Sequence, residues 1–167
     1  MVVIIKTAGV VEPGEQLSLA VISQHAPVLS LSGFLAFAVA LLCVQAKLGF
    51  VPFDIAESEA EVAGGVMIEY SGALLAVWKL MQAMMLVALP LFLVLAFLGG
   101  IRLSGWPLLG GIGKYVLVLV LVILIRNTNP RVRIDQAMRF FWVFCGPVLA
   151  AAVVLAMVGA YYGIAWL

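Results

Sequence analysis

The sequence predicts an all-α, polytopic membrane protein with about four transmembrane helices, and three observations carry that prediction. Of 167 residues, 66% are hydrophobic and 10% charged, whereas an average soluble domain is roughly 45–50% apolar and 25% charged. Four apolar runs approach the roughly 20 residues needed to cross a hydrocarbon core. None of these runs alternates polar with apolar positions as barrel strands do. A soluble fold of this size leaves too much surface wet to hide so much apolar area, while a bilayer accepts it. The net charge of +1 and the lack of a basic stripe give no pull toward nucleic acid.

The elements follow in chain order within a single membrane domain, 1–167. Residues 1–6 hold five apolar residues and then Lys6, too few for a signal-peptide core and with the charge on the wrong side. They read as the tail of a helix whose beginning is missing. The first span is expected over 28–48, free of charge before Lys47. The second, 73–98, carries Lys79 in its second turn and Pro90 within it, where a proline kinks a helix. The third, 108–125, has Lys114 near its start, and the fourth, 140–163, has no charge at all. Each run is hydrophobic all round, as a buried or lipid-bathed helix is. The segment 99–107 contains Gly99, Gly100, Gly105 and Pro107, a turn composition. Segment 126–139 is basic, with Arg126, Arg131, Arg133 and Arg139 against Asp135. Segment 52–72 is acidic.

Cations set the expected orientation. Four spans place 52–72 and 126–139 on one side, with Lys47, Arg126, Arg131, Arg133 and Arg139 there and Lys79 close by. The opposite side has Lys6, Arg102 and Lys114. Six against three puts both loops on the cytoplasmic side. Tyr161, Tyr162 and Trp166 suit an interfacial belt.

The acidic segment holds Asp54, Glu57, Glu59, Glu61 and Glu69, five of the eight acids in the chain, with no Lys or Arg between Lys47 and Lys79. A short loop helix is expected here. Pro52 suits a first-turn position, and early carboxylates complement the positive end of a helix dipole. Asp54, Glu57 and Glu61 then share one face at i, i+3, i+7, and Glu59 points away. Gly64 and Gly65 end or bend the helix. Like charges at this spacing repel, and burial and neighbouring negative charge both raise a carboxylate's pKa. Such a set exchanges protons as a unit, the chemistry a proton path needs. The plainer alternative is a solvated acidic loop. Ile55, Val62, Val66, Met67 and Ile68, interleaved with the acids, favour partial burial instead.

Other residues take plainer readings beside their functional ones. Cys43 and Cys145 sit in long apolar runs without a CxxC pair or a His cluster. They read as small packing residues rather than metal ligands, which come in converging sets. Lys79 either snorkels to the interface or partners Glu69. Lys114 snorkels at the other side. His25 is interfacial, with a proton relay as the alternative, and Met81, Met84 and Met85 pack.

Two stretches carry a resemblance. "PFDIAESEAEVAGGVMIEYSG" (52–72) closely resembles the loop motif of the membrane subunit shared by respiratory complex I, where it is the quinone-pocket subunit, and group 4 membrane-bound nickel–iron hydrogenases. "NPRVRIDQAMRFFW" (129–142), with its Arg-x-Arg-x-Asp-Gln core, resembles a second motif of that family. The resemblance runs from about residue 8 to 142. Ala46-Lys47 and Ala63-Gly64-Gly65-Val66 look more like the hydrogenase branch, and the membrane subunits of archaeal sulfane-sulfur reductases are similar too. Family members have about eight spans, so this chain matches the C-terminal half, spans five to eight.

The resemblance implies a non-catalytic coupling subunit of an oxidoreductase complex. Asp54, Glu57, Glu59, Glu61 and Glu69 would line the start of a proton path. Arg131, Arg133 and Asp135 would pair with the acidic loop or dock a partner, with Lys79 and Tyr70 as secondary residues. No catalytic residue, metal ligand or cofactor is expected in this chain. Partner subunits would carry the nickel–iron centre and the iron–sulfur clusters. Implied partners are hydrogenase-like large and small subunits, an iron–sulfur subunit, antiporter-like membrane subunits and the family's N-terminal half. The function implied is coupling of ferredoxin-driven hydrogen evolution to proton or sodium translocation. The alternatives are the quinone-pocket subunit of complex I, a passive anchor, or half of a stand-alone ion transporter.

Overall fold

The computed structural model describes residues 26–53, 71–101, 107–130 and 132–162. The acids Asp54, Glu57, Glu59, Glu61 and Glu69, together with Tyr70, Arg131 and His25, lie outside the described residues, as does the expected loop helix. The described residues form four long helices and no strand. These are α1 (Leu31–Leu48), α2 (Ala73–Phe97), α3 (Pro107–Thr128) and α4 (Ile134–Tyr162), each long and apolar enough to cross a membrane. At 1.5 Å per residue, α1 is about 27 Å long and α4 about 43 Å, against a hydrocarbon core of about 30 Å.

A short 3₁₀ turn, Pro27–Leu29, leads into α1. Ser30 caps the helix: its Oγ accepts from the Gly33 N–H at 3.1 Å and donates to the Pro27 carbonyl at 2.9 Å. The helix stops at Gly49, whose left-handed φ of 63° suits a residue without a Cβ. Lys47 in its last turn complements the negative end of the dipole.

Helix α1 is the hub, packing against α2, α3 and α4. Ala36, Phe37, Leu41, Val44 and Leu48 meet Leu93, Val94 and Phe97 of α2 and Val118 and Val122 of α3. Phe37 and Phe97 sit edge to face, centroids 5.7 Å apart. From α4, Ala152, Ala156 and Gly159 are buried. Small residues at helical spacing let two backbones approach, which is how helices associate where lipid offers no hydrophobic drive. Gln45 is fully buried, and its Nε2 donates to the Val122 carbonyl at 2.6 Å, pinning α1 to α3.

The first span, expected from residue 28, starts as a helix only at Leu31, because Pro27–Leu29 forms a separate 3₁₀ turn; two other bounds extend beyond the apolar runs for electrostatic reasons. α3 continues through Arg126 to Thr128, because a cation in the last turn is favourable there. α4 begins at Ile134, with Asp135 in its first turn and the Gln136 Oε1 accepting the Arg133 N–H at 3.4 Å. Apolarity marks the part of a helix that lipid can bathe, while capping and dipole chemistry carry the helix further.

Lys114 does more than reach for water. Its Nζ donates to the Leu98 carbonyl at 2.7 Å, closing the C-terminus of α2 beside Gly99 and Gly100, both at positive φ. Hydrogen bonds to charged groups are worth about 1.5–3 kcal/mol, and partial exposure puts this one at the lower end. Lys114→Met is expected to lower the midpoint of thermal unfolding in detergent, while Lys114→Arg retains most of the stability.

Candidate functional site

The two motif stretches meet where three helix ends come together. After Gly49 the chain makes a tight turn, with the Phe50 N–H on the Gln45 carbonyl at 3.4 Å and the Phe53 N–H on the Phe50 carbonyl at 2.9 Å. This turn, with a cis Val51–Pro52 bond, aims the Pro52 carbonyl at the opposite stretch. The Val132 N–H donates to it at 3.1 Å. A backbone hydrogen bond thus ties the start of the acidic segment to the basic one.

Aromatic packing holds the same junction. Phe53, 6% exposed, lies 4.9 Å from the Phe141 ring and 5.9 Å from the Phe140 ring. Phe140 stacks on Phe144 at 5.9 Å. These phenylalanines belong to a π-helical stretch of α4, Phe140–Cys145, in which the Gly146 N–H reaches the Phe141 carbonyl. Wider turns of this kind recur at functional sites because they re-aim side chains. The Arg126 guanidinium lies 4.3 Å above the Phe50 ring, a cation–π contact. Asp54, the first acid of the acidic segment, directly follows Phe53 in the sequence.

Arg133 and Asp135 are exposed at this junction, as is Arg139. Lys79 is exposed on α2, about two turns from Gly72, the residue before the helix begins. Cys43 is exposed and Cys145 buried, both as free thiols. Among the described residues no group of three or more His, Cys, Asp or Glu is placed to hold a metal ion. The aromatic clamp was not singled out in the sequence. Its signal is the pairing of Pro52-Phe53 with Phe140-Phe141, two aromatic sites beside two charged motifs.

Phe53→Ala should release this end of the acidic segment. Large aromatic-to-alanine changes in packed sites cost about 3–5 kcal/mol. Limited proteolysis should then cleave within 54–70 much faster than in the parent, with little change within α1 or α3.

The comparisons with known proteins bear on this pair of motifs. A family model described as NADH dehydrogenase matches residues 1–157. The chain belongs to that family. Its relatives include an NADH-quinone oxidoreductase subunit of Geobacillus kaustophilus, 36% identical over 135 residues, which are 77% of this chain and 40% of the relative. The same subunit from an Acidovorax species is 38% identical over 138 residues, 78% of this chain and 37% of the relative. That of Dehalococcoides mccartyi is 35% identical over 127 residues, 72% of this chain and 35% of the relative. The chain spans about two-fifths of the length of these relatives. They carry the name of the complex I branch, and they lend no support to the hydrogenase branch that Ala46-Lys47 and the residues before Ile68 favour. With four spanning helices and such relatives, this family member is a multi-pass protein of the plasma membrane.

Proposed function

We propose that the chain is a membrane subunit of an NADH-quinone oxidoreductase-type complex, in which the acidic segment passes a redox event in a docked module to ion movement in the membrane. The family supports the class of complex. The observation behind the mechanism is the bond from the Val132 N–H to the Pro52 carbonyl, which joins the basic motif to a residue two positions before Asp54 in the sequence. Guanidinium groups near carboxylates favour their charged form and lower their pKa; separating them raises it. A partner that shifts the basic stretch by a few ångströms therefore changes how readily the acids hold protons. Both loops face the cytoplasm in this reading, where the redox module docks. The iron–sulfur clusters belong to partner subunits, and this chain contributes side chains and no cofactor of its own.

A second reading, the coupling subunit of a membrane-bound hydrogenase, rests on Ala46-Lys47 and Ala63-Gly64-Gly65-Val66. The composition of the native complex separates the two. The complex purified through a tag on this chain is expected to contain quinone-reducing activity sensitive to quinone-site inhibitors. Recovery of nickel–iron large and small subunits, with hydrogen evolution and no quinone reduction, reverses the order of the two readings.

A further inference from the structure

At the junction of α1, α3 and α4 the structure holds a half-open apolar cavity of about 400 Å³. Leu42, Phe53, Ile125 and Phe140 line its body, and the carboxamides of Asn129 and Gln136 are its polar groups. Its size is within the 300–1,000 Å³ usual for sites of small ligands. Three exposed arginines neighbour these lining residues in the sequence, and the Arg126 guanidinium itself lies over the Phe50 ring. Arg126 follows Ile125, Arg139 precedes Phe140, and the Arg133 N–H is bonded to Gln136. Asp135 is the one acid among the described residues of this stretch. The cavity lies where α1 and α3 end and α4 begins, the level at which hydrocarbon gives way to headgroups.

We propose that this cavity binds an anionic phospholipid, with an acyl chain against Leu42, Ile125 and Phe140 and the phosphate among Arg126, Arg133 and Arg139. The apolar lining alone would suit many occupants, but the arginines select one. Guanidinium groups pair with phosphate through fixed, often bidentate hydrogen bonds, and juxtamembrane arginines attract anionic headgroups. A neutral quinone ring makes no use of three cations, and a zwitterionic lipid satisfies them less well. The site shares Pro52, Phe53 and the basic stretch with the start of the acidic segment, but lipid binding there does not depend on the proposed complex. A lipid wedged there would brace the same helix ends that hold Pro52 and Phe53.

The test is photolabelling of the chain, purified with whatever it assembles with and placed in lipid nanodiscs. The probes are phosphatidylglycerol and phosphatidylcholine carrying a diazirine on the acyl chain. Phosphatidylglycerol is expected to label peptides containing Leu42, Ile125 or Phe140 in clear excess over phosphatidylcholine. Arg133→Gln with Arg139→Gln should reduce that labelling on the order of tenfold. Ile125→Trp, which fills the cavity and keeps the arginines, should reduce it as well. It carries the test if the double arginine variant fails to assemble. Equal labelling by both lipids, no labelling of these peptides, or labelling indifferent to the arginines and displaced by a short-chain quinone would each overturn the proposal.

Discussion

Gly33→Ala is expected to destabilise the bundle by about 3 kcal/mol, the sum of an overpacking cost and a lost helix cap. The residue sits in the first turn of α1, where a Cβ would overlap the carbonyl of Pro27 and come within 2.9 Å of the Ser30 Oγ. Backbone cannot yield as a flexible side-chain end does. The Pro27–Leu29 turn must move, and with it go the Ser30 bonds to Gly33 and Pro27. Because α1 touches all three other helices, the damage does not stay local. Gly113→Ala provides the contrast: nothing lies within 4 Å of its Cβ position, and alanine is the better helix former by up to about 1 kcal/mol. Thermal unfolding in one detergent should show a large fall for Gly33→Ala and no fall for Gly113→Ala. Equal behaviour of the two would mean that the turn before α1 is not built as described.

The helices were legible because the bilayer imposes a single requirement, uninterrupted apolar length, and composition reports it directly. What lies at the ends of helices was less legible. Arg126 and Asp135 read as loop charges because a charge interrupts an apolar run, yet each sits in a helical turn where the dipole favours it. Lys114 reads as a snorkelling residue, but its ammonium closes the end of a neighbouring helix sixteen residues back in sequence. No local pattern reveals a bond between two helices. Gln45 is the same case. A lone polar residue in a span has no visible partner until α3 brings the Val122 carbonyl against it. At the site, charge counting placed the acidic and basic stretches at one end of the bundle. The contact that joins them is made by Phe53, Phe140 and Phe141, ordinary apolar residues in a chain that is 66% hydrophobic. The branch of the family was legible least of all, since a few residues around one loop were set against a match across most of the chain.

The combined replacement Glu57→Gln, Glu61→Gln, Glu69→Gln is expected to abolish ion translocation by the intact complex while leaving its assembly unchanged. Glutamine keeps the shape of glutamate and its capacity to accept hydrogen bonds, but it cannot take up and release a proton. The energy scale suits carboxylates held near a basic partner. Moving one charge against 100 mV costs about 2.3 kcal/mol, and one pKa unit corresponds to about 1.36 kcal/mol. A swing of one to two units, well within what a neighbouring guanidinium or partial burial produces, is therefore enough to drive a step. The start of the segment is fixed by Phe53 and by the Pro52 carbonyl, so neutral side chains further along leave the described junction intact. Glu59→Gln alone is the internal contrast, because the helix expected from the sequence would put Glu59 away from the face shared by Asp54, Glu57 and Glu61. Proton and sodium uptake should be measured in proteoliposomes containing the whole complex, with electron transfer followed in parallel. Lost uptake with continuing electron transfer identifies the segment as the coupling element. Unchanged uptake in a fully assembled triple variant would leave the chain as an anchor for the redox module and move the proton path elsewhere.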